Sequence, residues 1–287
     1  MRPKNLATRI FLDGGDPGET REAISLLGFL DGQTTNPTLI SKNPQVRERL
    51  DRGERFSHEE IFRYYRTVVE EISGLIPGGS VSIEVYADAT TKAETMFTQG
   101  KEMFRWIPNG HIKFPTTTEG LQAASKAVAE GMRVNMTLCF SQAQAAAVYA
   151  ATRGGRKGDI FVSPFIGRLD DRGENGMDLI GHIITMYRKG DGHVEVLTAS
   201  VRHLNHLMCA LSLGSDIITA PFSVLKEWAQ NSMGLPSPGY VYDAGSLKPM
   251  PYAEIDLSKD WHDFDLYHEL TEKGMERFSK DWNSLIR

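Results

Sequence analysis

Long apolar runs are missing from this 287-residue chain. No segment approaches the roughly 18 uninterrupted apolar residues that a membrane span needs. The first ten residues, MRPKNLATRI, lack the apolar stretch of a secretory signal. Cysteine is scarce, with only Cys139 and Cys209, each inside an apolar stretch, so the pair reads as reduced core thiols rather than a disulfide framework. Positive charge is not in excess either. The 32 Lys and Arg stand against 37 Asp and Glu, a net charge of −5, which exerts no global pull toward nucleic acid or anionic lipid. The small cluster Arg153, Arg156, Lys157 reads as a solvated loop. With 40 % apolar and 24 % charged residues, the expectation is an ordinary globular protein, cytoplasmic, without nucleic-acid or membrane partners.

Signature motifs are missing as well. Neither GxGxxG nor GxxxxGK occurs, which weakens the case for an open doubly wound sheet with a glycine-rich phosphate turn; GGDPG at 14–18 is a plain Gly/Pro turn. HExxH is absent, and the eight histidines form no ligand-spaced cluster, His203 and His206 being one (i, i+3) pair. The expectation is no metal and no cofactor.

What the chain does contain is alternation. Eight short β-like runs recur: RIFLD (9–13), GQTT (32–35), SVSIEVY (80–86), HIKF (111–114), RVNMTL (133–138), DIFVSP (159–164), HVEVLTA (193–199) and SDIITA (215–220). Helix-like stretches lie between them, such as 90–106, 116–131 with Thr116 or Thr117 as N-cap and Gly131 as C-cap, and 141–155 from Ser141 to a glycine pair. Eight strand–helix repeats predict an α/β fold, a closed (β/α)₈ TIM barrel over residues 1–287. Segment 41–79 is long for one crossover and predicts an extra helix at 57–75, where Ser57 and Glu60 form a capping-box pattern. Residues 234–263 are Pro/Gly-rich and predict an extended surface segment, followed by a C-terminal helix over 264–287.

Strand parity assigns the inner face. If the aliphatic positions Ile10, Leu12, Ile83, Val85, Ile112, Phe114, Val134, Met136, Leu138, Ile160 and Val162 face the helices, then Phe11, Asp13, Ser82, Glu84, Tyr86, Lys113, Asn135, Thr137, Phe161 and Ser163 face inward. Two carboxylates, an amine, an amide and hydroxyls thus converge, mostly at C-terminal strand ends where barrel enzymes place their chemistry. Burying them costs stability unless they pair. A structural Lys–Glu salt bridge with polar satellites is the plain alternative.

Burial disfavours the charged form of an amine, and a neutral lysine attacks ketones to form a Schiff base. The iminium then draws electrons from a neighbouring carbon–carbon bond. Such chemistry needs one base for the departing hydroxyl and one acid/base to shuttle protons, roles open to Asp13 and Glu84. Arg168, beyond the sixth strand, and Arg202, in SVR beyond the seventh, suit a substrate phosphate, although each alone also reads as a surface salt bridge.

The ordered set FLDGGDP, TTNPTLI, VSIEV, IKFPTT, VNMTLCFS, SPFIGRLDD, TASVR and HELTEKGMERFSKDW resembles the transaldolases over nearly the whole chain. The resemblance implies a (β/α)₈ barrel with Schiff-base aldol chemistry and no cofactor. Dihydroxyacetone would pass from sedoheptulose 7-phosphate or fructose 6-phosphate to glyceraldehyde 3-phosphate or erythrose 4-phosphate, as in the pentose phosphate pathway. It implies Lys113 as the Schiff-base residue, Asp13 as the base at the cleaved bond, and Glu84 as acid/base through a water held by Thr137. Asn135 would bond the carbinolamine hydroxyl. Thr34, Asn36 and Ser163 would surround the dihydroxyacetone portion, and Arg168, Ser200 and Arg202 would hold the phosphate. A homo-oligomer, dimer or larger, is implied too.

A near relative, fructose-6-phosphate aldolase, releases dihydroxyacetone instead of transferring it. It has glutamine, alanine and tyrosine where this chain has Glu84, Ser163 and Phe165, so all three positions resemble the transferases. An aldolase-type lyase and a transaldolase-like enzyme acting on a modified sugar stay open as alternatives. A non-catalytic sugar-phosphate binder fits less well, because every required catalytic group is present.

Overall fold

Eight parallel strands close on themselves in chain order in the computed structural model, which describes residues 2–287. They are β1 (Arg9–Asp13), β2 (Gly32–Thr34), β3 (Ser80–Glu84), β4 (Gly110–Pro115), β5 (Val134–Cys139), β6 (Ile160–Pro164), β7 (Val194–Thr198) and β8 (Ile217–Ala220). Outside them run α1 (Pro17–Leu27), then α2 (Pro37–Ser41), α3 (Pro44–Asp51) and α4 (His58–Leu75) between β2 and β3, then α5 (Ala93–Phe104), α6 (Thr118–Ala129) and α7 (Gln142–Ala151). The series continues with α8 (Ile166–Asp170) and α9 (Gly176–Tyr187) after β6, α10 (Leu204–Leu213), α11 (Phe222–Gln230) and α12 (Glu269–Asn283). The architecture is the (β/α)₈ barrel that the alternation predicts. No helix among the described residues is long and apolar enough to cross a membrane.

Local chemistry explains most element starts. Ser57 and Glu60 close a reciprocal capping box on α4, Thr117 caps α6 and Ser141 caps α7. Gly131, at φ 78°, follows the last turn of α6 in the left-handed region where glycine carries no Cβ penalty.

Several boundaries differ from the sequence pattern. Segment 41–79 holds two helices, because Asn43 caps a second one, α3. Helix α7 ends at Ala151, before the glycine pair. The C-terminal helix starts at Glu269 rather than 264, because Asp265 turns back onto the Tyr267 N–H and the His268 ring accepts the Leu270 N–H as N-cap. The stretch before it stays non-helical apart from a 3₁₀ turn at Trp261–Asp263.

The barrel floor is sealed. Arg9 bonds Glu195 at 2.6 Å, and its guanidinium lies 5.1 Å over the Phe161 ring. Phe161 also stacks on His111 at 4.1 Å and meets Phe11 edge-on at 6.2 Å. Gly32 makes room for this layer, since a Cβ there would sit 2.6 Å from the Phe11 ring. Burial drives the His111 pKa down to about 3, so its ring is neutral. The two cysteines are free and buried, and burial pushes both thiols up to about 12.

The start of α6 is seated on the end of β4. A Cβ at Gly120 would lie 1.9 Å from the Pro115 carbonyl oxygen, which no side-chain rotation relieves. Gly120→Ala is therefore expected to cost about 1–3 kcal/mol through overpacking. The check is a lower urea midpoint with an unchanged slope.

Candidate active site

Strand register fixes which side chains share the interior. Asp13 pairs with Thr34, Glu84 with Lys113, Lys113 with Asn135, and Asn135 with Phe161. In parallel strands, paired residues point to the same face. The polar groups placed inward by parity therefore meet, with one exception. Tyr86 lies beyond the end of β3, and its hydroxyl bonds Asp88 and Asn283 instead.

Lys113 is 3 % exposed and Glu84 5 %, and the amine stands 2.6 Å from Glu84 Oε2. The contact is a buried ion pair, and Nζ also donates to the Thr35 carbonyl at 2.9 Å. Thr35 is itself anchored. Its hydroxyl donates to the Ser82 carbonyl, which leaves it to accept from Tyr65 OH at 2.6 Å, and the Tyr65 oxygen accepts the Glu84 N–H. The backbone of Glu84 and the acceptor of Lys113 thus hang on one buried chain of bonds.

Asp13 accepts from Thr34 Oγ1 at 2.7 Å, and Thr219 Oγ1 lies 2.7 Å from the same hydroxyl. Ser163 Oγ donates to Asn135 Oδ1 at 2.7 Å, and Asn135 Nδ2 donates to Ser82 at 3.1 Å. Asn36 caps α2 by accepting the Leu39 N–H. Thr137 Oγ1 is buried with no hydrogen-bond partner among the described residues. Burial pushes the Asp13 and Glu84 pKa values up, opposed in both by the Lys113 charge.

The C-terminal rim opens on a cleft of about 270 Å³ reached by Asp13, Thr34, Asn36, Lys113, Ser163, Phe165, Arg168, Ser200 and Arg202. Lys42 and Arg277 line it as well, and the sequence reading missed both. Arg277 lies in the HELTEKGMERFSKDW stretch, but nothing in its spacing says that α12 folds back over the barrel mouth. Thr219 was reachable by extending parity to the eighth strand. Burial, followed by the like charges of Arg277 and Arg202, lowers the Arg168 pKa. Arg168 has no hydrogen-bond or ion-pair partner among the described residues, whereas Arg202 pairs with Asp171 at 2.9 Å. Three guanidinium groups facing one cleft form a site suited to an anion.

One side-chain cluster escaped the spacing rules because Asp170 comes from a different element, the end of α8. Asp170, His203 and His206 place ligand-type atoms within 4.8 Å of one another. The two imidazoles lie 3.6 Å apart between centroids, tilted by 38°, and His203 Nδ1 accepts the His206 N–H as the cap of α10. His206 bridges, with Nε2 2.7 Å from Asp170 and Nδ1 accepting the Arg202 N–H. It ties α8, which carries Arg168, to the turn before α10 that carries Arg202.

Comparison with known proteins places the chain in a family. A family model described as transaldolase/fructose-6-phosphate aldolase matches residues 10–287. The chain belongs to that family. It is 35 % identical over 277 residues to a probable transaldolase of Dehalococcoides mccartyi, covering 96 % of this chain and 99 % of the relative. It is 37 % identical to a probable transaldolase of Halalkalibacterium halodurans, with the same coverage of both chains. Among solved structures, 3-hexulose-6-phosphate synthase from Salmonella typhimurium superposes at a TM-score of 0.49 and 13 % identity, over 78 % of this chain and 97 % of that one; this carries no functional argument. The chain is thus a transaldolase-type enzyme, and in this transaldolase-family barrel the inward polar groups and the cationic cleft occupy the catalytic end of the fold.

Because the folded Asp13 pKa is raised, folding binds its proton more tightly than the unfolded chain does, and stability falls as pH rises through the folded value. Asp13→Asn removes that loss. The variant is expected to melt above the parent chain, with a gap that widens as pH rises from about 4 and levels off above the raised pKa. Melting curves across that range check the sign.

Proposed function

We propose that this enzyme moves a dihydroxyacetone unit from a ketose phosphate to an aldose phosphate through a Schiff base on Lys113. The observation that carries the reading is the 2.6 Å contact between a buried amine and a buried carboxylate, beside a cleft whose other end is cationic. Sedoheptulose 7-phosphate or fructose 6-phosphate is the donor, and glyceraldehyde 3-phosphate or erythrose 4-phosphate the acceptor. The reaction is that of the pentose phosphate pathway.

Proton transfer from Lys113 to Glu84 frees the amine to attack the donor ketone. Asn135 bonds the carbinolamine hydroxyl. Glu84, working through a water on the unpartnered Thr137 hydroxyl, returns a proton so that this hydroxyl leaves as water. Asp13 takes the proton from the hydroxyl next to the breaking bond, and the electrons of that bond pass into the iminium to give an enamine. Burial raises the basicity of Asp13 for this step. Thr34, Asn36 and Ser163 orient the three-carbon unit. Arg168, Arg202 and Ser200 hold the phosphate, with Arg277 added from α12.

Transfer is favoured over release because Phe165, at the cleft wall, has no hydroxyl with which to hold a hydrolytic water. Fructose 6-phosphate should therefore be consumed rapidly only when erythrose 4-phosphate is present. Fast release of free dihydroxyacetone without an acceptor would favour a lyase.

Borohydride is expected to trap donor carbon on the protein, and Lys113→Met to abolish the trapping. Trapping that survives this change, read by mass spectrometry of the intact chain, would sink the assignment. Arg168→Ala removes an anion contact of about 1.5–3 kcal/mol. It should raise the KM for phosphorylated donors about tenfold or more while sparing dihydroxyacetone itself; an unchanged KM would refute the phosphate assignment.

A further inference from the structure

Glu84 does not line the cleft that holds Lys113. It lines a separate cavity of about 10 Å³, walled by Leu138, Met275 and Phe278, with room for one water. Beyond it lies a wider opening of about 180 Å³, and Ala87, Pro115 and Met275 border both spaces. Met275 is buried and belongs to α12. Its unbranched, flexible side chain makes it the most movable part of that partition.

The backbone is arranged to keep this gap. β5 shifts register between Met136 and Cys139, and Leu138 within the shift sits at φ 58°, in the left-handed region a leucine rarely adopts. Helix α12 is pinned to that spot. Thr271 Oγ1 donates to the Leu138 carbonyl at 2.9 Å, and Gly274 packs so closely that a Cβ would stand 2.6 Å from Leu138 Cδ2. Backbone strain held by surrounding contacts is characteristic of functional positions.

We propose that this second cavity is the water route of the reaction, with Met275 and Ala87 as its gate. The inference rests on the Schiff-base reading above. When the carbinolamine collapses, its C2–O bond breaks, the nitrogen lone pair forms the C=N bond, and the oxygen takes a proton delivered by Glu84 to leave as water. A sugar phosphate then fills the main cleft, so the departing water has its way out on the Glu84 side. Hydrolysis runs the path in reverse. For release, the enamine carbon first takes back the proton held by Asp13. Water entering past Met275 then adds to the iminium carbon and gives one proton to Glu84. Glu84 passes that proton to the nitrogen, and the amine leaves as the hydroxyl loses its proton to Glu84 and becomes the ketone. Access through this gate, and not only the missing hydroxyl at Phe165, sets the ratio of transfer to release.

The test uses the full-length enzyme and two opposed variants. Met275→Ala widens the partition, and Ala87→Leu plugs the outer opening. Two rates are read: release of free dihydroxyacetone from fructose 6-phosphate without acceptor, and entry of oxygen from ¹⁸O-water into the C2 position of recovered donor. Met275→Ala is expected to raise both several-fold, and Ala87→Leu to lower both several-fold, while borohydride trapping on Lys113 persists in each. Met275→Leu, which conserves volume, should leave both near the parent values. Opposite signs from two variants are not produced by loss of structure. If both variants move the rates the same way, or neither moves them while trapping persists, the gate is refuted and the Schiff-base reading stands. Absence of trapping in the parent enzyme would overturn the Schiff-base reading and the gate together. Should Met275→Ala fail to melt cooperatively, slower oxygen entry in Ala87→Leu decides the matter by itself.

Discussion

A lysine amine and a glutamate carboxylate lie 2.6 Å apart, both buried in the barrel interior, and the surrounding structure serves that contact. A buried pair of this kind is costly unless neighbouring groups satisfy what the two charges leave over. Thr35, Tyr65 and Ser82 supply part of that on one side, bonding the amine and the Glu84 backbone through one connected chain. Below, the Arg9–Glu195 bridge and the stacked His111 and Phe161 rings fill the floor beneath the pair. The barrel thus holds its polar groups in an environment where burial opposes charge on both carboxylates.

Helix α12 completes what the barrel begins. It packs on the strained end of β5 through Gly274 and Thr271, and brings Met275, Arg277 and Phe278 to the rim. One helix therefore contributes to both spaces around the reacting groups, the cationic cleft and the small cavity at Glu84. A second left-handed residue, Ser200 at φ 61°, lies on the cleft side. Leu138 is the next-to-last residue of β5 and Ser200 follows the end of β7, and packing elsewhere must offset a cost of about 1–3 kcal/mol at each.

Much of the site was legible because a barrel strand has a period of two and only one face accepts polar residues. Asp13, Glu84, Lys113, Asn135, Thr137 and Ser163 followed from alternation alone. Tyr86 failed the same rule because pairing had already ended at Glu84, and parity says nothing past the last paired residue. Helix starts were readable where a cap was written locally, as at Ser57, Thr117 and Ser141. The late start of α12 was not, because it depends on how Asp265 and His268 compete for nearby N–H groups. The arginines after β6 and β7 were found from charge at strand ends; Lys42 and Arg277 lie on crossover and terminal elements whose approach to the mouth no local pattern encodes.

By itself, the sequence determined the eight-fold alternation, the face on which each strand carries its polar groups and the identity of the central amine, because all three are set by nearest-neighbour geometry. Tertiary structure alone decided that Glu84 opens away from the substrate cleft, that Asp170 and His206 tie α8 to α10, and that α12 walls both cavities. Those relations join residues far apart in the chain, and they arise only when the barrel closes and its last helix finds the one surface where Gly274 permits close approach.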